Sequence, residues 1–123
     1  MKTLQKFKIY PESGKKYFEV LIFETHSIML QVLRKDGITT SNDTEAYCSC
    51  VNRLNRLGRI YFYISGIGNG TIAHEVIHAT SGYLAVKGEK FLEYSFEEAT
   101  KSEERFCEVV DGLVDQIYKK LKL

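Results

Sequence analysis

The stretch from Arg59 to Val86 constrains the fold more than any other. Arg59–Ser65 (RIYFYIS) is β-branched and aromatic throughout, the clearest strand pattern in the chain. Gly66-Ile-Gly-Asn-Gly70 then breaks it, and Asn69 is placed to cap a helix over roughly Thr71–Val86, with Gly88 as its stop. Within that helix lies His74-Glu75-Val76-Ile77-His78, an H-E-x-x-H. Ile72, Ala73, Val76, Ile77 and Ala79 surround the motif with apolar side chains, so this helix is packed rather than solvated.

The remaining elements arrange themselves around this unit. Phe7–Tyr10 and Tyr17–Phe23 are apolar and β-prone, and Pro11-Glu-Ser-Gly14 between them reads as a hairpin turn. Thr25 can cap a short helix through Ile28, Met29, Leu30, Val32 and Leu33, ending at Asp36-Gly37; the competing reading is that the strand continues. Ile38–Glu45 is polar and turn-rich, the expected exposed loop, and Tyr47–Val51 follows as a short strand. A last helix carries Phe106, Val110, Leu113, Val114, Ile117 and Leu121 at helical spacing and ends in Lys119, Lys120 and Lys122, which suit the negative end of its dipole. Ser95 with Glu98, and Thr100 with Glu103, compete as its capping box. The expectation is a single α+β domain over residues 1–123, a small and mostly antiparallel sheet packed on the H-E-x-x-H helix and the C-terminal helix.

Composition excludes several classes of function. Seventeen basic residues against sixteen acidic leave a net charge of +1, which argues against nucleic acid or an anionic membrane as the main partner. The N-terminus has no apolar run of a secretory signal, and no stretch is apolar enough to span a bilayer. Three cysteines, two of them as Cys48-Ser-Cys50, do not make a disulfide scaffold. A cytoplasmic protein with reduced thiols is expected.

The chemistry resides in the H-E-x-x-H. Residues four apart share one helix face, so both imidazoles can reach a single metal ion. Neutral imidazole is a good zinc ligand, and Glu75, adjacent to the first histidine, is placed to accept the proton of a water that zinc has acidified. The bland reading is a helix with two surface histidines. Against it, two of the chain's only three histidines fall in the motif. Catalytic zinc sites usually have three protein ligands. No histidine follows His78, so the third must be a carboxylate or thiolate, and the last helix offers Glu103, Glu104, Cys107 and Glu108.

At this point the chain resembles the gluzincin metallopeptidases, in which H-E-x-x-H is followed by a glutamate ligand on a later helix. Their glutamate often opens an E-x-x-[small]-[D/E] run, and Glu104-Arg-Phe-Cys107-Glu108 matches it, with Glu108 where aspartate is more usual. GTIAHEVIHAT and EERFCEVVDGLV are also similar to small zincin-like proteins encoded by bacteriophages and prophages. The resemblance spans roughly Arg59 to Leu121. It implies a minimal zincin-like fold, zinc held by His74, His78 and Glu104, Glu75 as general base, and a peptide or protein substrate. It leaves the oxyanion-stabilising residue unassigned.

Other readings stand beside this one. Glu104, Glu108, Asp111 and Asp115 fall at i, i+4, i+7 and i+11, the pattern of a solvated acidic face. If Thr100 caps the helix, Glu103 is occupied there and Glu104 is left to face the metal; Glu97 and Glu98 lie closer to the helix start. Filling the fourth position with Cys107 or Glu108 would make a closed, structural zinc site, as in a non-catalytic phage protein that binds a host factor. His26 reads as a surface or satisfied histidine. Tyr61, Tyr63, Tyr83 and Tyr94 are all available as oxyanion donors. Arg53, Arg56 and Arg59 read as a solvated turn.

Overall fold

The computed structural model describes residues 3–51, 53–88 and 96–122. The chain forms an α+β fold in the order β1 (Gln5–Ile9), β2 (Tyr17–Phe23), α1 (His26–Lys35), β3 (Tyr47–Ser49), β4 (Arg56–Tyr63), α2 (Asn69–Val86) and α3 (Phe96–Lys120). The sheet order is β1-β2-β4-β3. Two of its three pairings are antiparallel, as expected, but the central one, β2 with β4, is parallel. The crossover through α1 makes that possible.

Strand β2 shows why the sheet must be covered on both sides. Phe18, Val20 and Ile22 point into a core shared with Ile60 and Phe62 of β4, Ile72, Val76, Ala79 and Leu84 of α2, and Val109, Leu113 and Ile117 of α3. The alternate residues Leu21 and Phe23 point the other way, onto Met29, Leu30 and Leu33 of α1 and Tyr61 of β4. A period-two pattern apolar on both faces thus yields three layers, with α1 on one side and α2 and α3 on the other.

The ends of the helices are fixed by specific groups. Thr25 caps α1 by accepting the Ile28 N–H at 3.2 Å, so the strand does not continue. Helix α2 starts one residue earlier than expected: Gly68, not Asn69, is the N-cap, its carbonyl accepting from the Ile72 N–H and its own N–H donating to Thr71 Oγ1 at 2.9 Å. The Thr71 hydroxyl bonds back to the Gly68 N–H and to the Gly66 carbonyl, which fixes the chain as it enters the helix. Gly88, at φ +77°, follows the end of α2 as expected. Helix α3 runs from Phe96, so Thr100 lies within it and the Thr100–Glu103 box does not start it. Ser95, the competing cap, lies outside the described residues.

Two polar clusters tie the layers together. Glu12, in the β1–β2 turn, accepts hydrogen bonds from Tyr83 Oη and from Lys87 Nζ at 3.0 Å and pairs with Arg105 at 2.6 Å, joining the turn to α2 and α3. On the opposite face Arg59 pairs with Glu19 at 2.9 Å, and Tyr61 donates to Asp36 at the end of α1, also at 2.9 Å. Arg59 is thereby a sheet residue rather than part of a solvated turn. Among the described residues, no helix is long and apolar enough to cross a membrane.

Candidate metal centre

Helix α2 presents two different faces at its N-terminal half. Ile72, Val76 and Ala79 are buried in the core, whereas His74 and His78 are exposed. One turn of helix brings the two imidazoles together, with ring centroids 4.8 Å apart at 71° and Nε2 atoms 3.1 Å apart. Two imidazole nitrogens this close need one to donate and the other to accept, or both lone pairs to face a shared cation. With zinc–nitrogen bonds of about 2.0–2.1 Å, a 3.1 Å separation subtends roughly 100° at the metal, near the tetrahedral angle. The spacing would allow both Nε2 atoms to face one cation, and it is also that of a hydrogen bond between the rings.

Glu75 lies between them in sequence but is turned inward, with only 5% of its surface exposed. Burial pushes its carboxyl above the ordinary value, with the charges of His74 and His78 pulling the other way. Glu75 and His74 line a cavity of about 310 Å³ together with Gly70 and Thr71 of α2 and Asp43, Glu45 and Ala46 of the segment leading into β3. Two outside contacts hold that segment. His26 Nε2 donates to the Thr44 carbonyl at 2.7 Å, which makes it a satisfied histidine, and Tyr63 donates to Glu45 at 2.5 Å.

Behind the cavity, the end of β3 comes close to α2. Cys48 and Cys50 have their sulfurs 3.8 Å apart, and the Cys50 thiol lies 3.9 Å from the His78 carbonyl. The hydrogen bond between the thiols raises Cys48 well above the thiol range, helped by burial and by the charge of Glu75. The same bond lowers Cys50 to about 7.

The structure brings together His74, Glu75 and His78 but does not bring Glu104 to them. Helix α3 turns Val109, Leu113 and Ile117 toward the core. Glu104, five residues before Val109, falls on the solvent side with Cys107, Glu108, Asp111 and Asp115, the exposed face that their spacing describes. Glu103 is exposed as well. Among the described residues, no three His, Cys, Asp or Glu side chains converge into a set able to hold a metal ion. Of the tyrosines, Tyr83 and Tyr61 spend their hydroxyls on Glu12 and Asp36. Tyr63 reaches the cavity wall through Glu45, and Tyr94 lies outside the described residues.

Sequence reasoning passed over Asp43 and Glu45, which it placed in an exposed polar loop. Their signal was their position immediately before an edge strand beside the H-E-x-x-H helix, which becomes visible only once the strand order is known. Comparison with protein-family models, with curated proteins and with solved structures gives no match.

Proposed function

We propose that this chain is a zinc-dependent hydrolase that cleaves peptide bonds, with His74 and His78 holding the metal and Glu75 acting as general base. The observation that carries the reading is the 3.1 Å approach of the two Nε2 atoms, beside a buried carboxyl that opens on a cavity. Held by His74 and His78, zinc would supply a Lewis acid for the scissile carbonyl and for water. Glu75 takes the water proton and returns it to the leaving amine. Strand β3 is a sheet edge and leads out of the cavity wall, so an extended peptide can pair along it by strand addition.

A third protein ligand is still required, and the fold favours the cavity carboxylates over Glu104. Carrying Glu104 to the histidines demands that α3 rotate and expose Val109, Leu113 and Ile117. Asp43 and Glu45 already line the same cavity as His74, and both are exposed residues outside the core. The cavity also favours catalysis over a closed structural zinc site, because it gives a substrate a way in.

Two comparisons test these assignments. Glu75→Gln should retain zinc while hydrolysis of a peptide library falls by about 100-fold or more; turnover at the wild-type rate excludes Glu75 as the base. For the third ligand, a combined Asp43→Asn and Glu45→Gln variant should weaken zinc binding by at least about tenfold, with Glu104→Gln near wild type. The reverse ranking restores Glu104 as the ligand.

A further inference from the structure

Cys48 and Cys50 take no part in the chemistry assigned above, yet they are placed as a pair. Cys48 lies in β3 and Cys50 just beyond its end, and their sulfurs stand 3.8 Å apart. Two glycines let this stretch sit close, Gly58 against the Ser49–Cys50 backbone and Gly82 against the Cys50 side chain. A Cβ on Gly58 of β4 would stand 1.9 Å from the Ser49 carbonyl oxygen, and one on Gly82 of α2 would stand 2.6 Å from Cys50 Sγ. Cys50 also lines a small cavity of about 160 Å³ with Leu57, Gly82 and Tyr83. Cys50 as a residue is exposed, whereas Cys48 is half-buried.

We propose that Cys48 and Cys50 form a thiol–disulfide site that closes by exchange with a low-molecular-weight disulfide such as oxidised glutathione. A disulfide bond is about 2.05 Å long, so the sulfurs must approach by roughly 1.8 Å. Cys50 lies just beyond Ser49, the last residue of β3, and can turn without breaking a strand pairing. Cys50, the more exposed of the two residues, loses its thiol proton and attacks one sulfur of oxidised glutathione. One glutathione leaves as thiolate and takes up a proton. Cys48 then loses its proton and attacks the Cys50 sulfur of the mixed disulfide, and the second glutathione leaves in the same way. The protein gives up two electrons and two protons, and oxidised glutathione becomes two thiols. The exchange uses no metal, so the pair can be tested with metal removed.

The test uses the full chain with a chelator present, incubated with oxidised glutathione, alkylated with N-ethylmaleimide and digested with trypsin. Cys48 and Cys50 share one tryptic peptide, residues 36–53, while Cys107 falls in another. The expected peptide is lighter by about 2 Da, takes up no maleimide, and takes up two after dithiothreitol. Cys107→Ser should behave as wild type, whereas Cys48→Ser and Cys50→Ser should stop at a glutathione adduct. A wild-type peptide that still takes two maleimides, keeps its glutathione, or is joined to Cys107 overturns the proposal.

Discussion

Glu75 and Glu12 show how differently two carboxylates can be treated within one small domain. Glu75 is buried beside two imidazoles with its pKa raised. Glu12 is held at about 2, chiefly by the Tyr83 hydroxyl and then by Lys87 and Arg105, against the opposing effect of burial. A carboxyl held at about 2 rather than 4.5 corresponds to about 3 kcal/mol at neutral pH before screening. The side chain is 33% exposed, so about 1–2 kcal/mol is the expected contribution. Because the folded pKa is lowered, this stability is present above about pH 4.5 and is lost as pH falls through about 2. Denaturant unfolding of wild type should therefore weaken over that window more than unfolding of Glu12→Gln does. Parallel curves would show that the Glu12 cluster adds nothing to stability.

Among the elements, β3 is short and depends on its neighbours. Gly58→Ala pushes a methyl group into backbone and should cost about 3 kcal/mol, measured by denaturant unfolding. Gly82→Ala meets only the Cys50 side chain, and the better helix propensity of alanine offsets part of the overlap. It should cost about 1 kcal/mol or less, and less still in a Cys50→Ala background, which removes the sulfur and keeps only the Cβ contact at 3.1 Å. Equal costs at the two glycines would contradict this packing. Most elements were legible in the sequence, because caps and stops such as Thr25 and Gly88 act locally. The rotation of α3 was legible too, since Phe106, Leu113 and Ile117 define an inner face that leaves Glu104 outside. The family resemblance pointed to Glu104 in spite of that pattern. The N-cap of α2 is Gly68 rather than Asn69 because the helical backbone already includes Asn69, with Thr71 closing back on the Gly68 N–H.

At the scale of the whole molecule, the parallel β2–β4 pairing determines where the site can form. It puts β3 at the sheet edge and brings Asp43 and Glu45 against the start of α2. Local sequence does not specify that pairing, although the near-continuous apolar run of Tyr17–Phe23 signals a strand covered on both faces. The histidine pair is legible because helical spacing alone brings its members together; the cavity is not, because it needs the assembled sheet. A ligand that binds only the folded chain stabilises it, so zinc at about 100 times its dissociation constant should add about 2.7 kcal/mol. The most direct test of the metal centre is therefore the zinc content of untagged protein after reconstitution and dialysis, compared with His78→Ala. One zinc per chain, lost in the variant, is the expected result. Wild-type protein that retains no zinc, or a variant that retains as much, would contradict a metal role for His74 and His78.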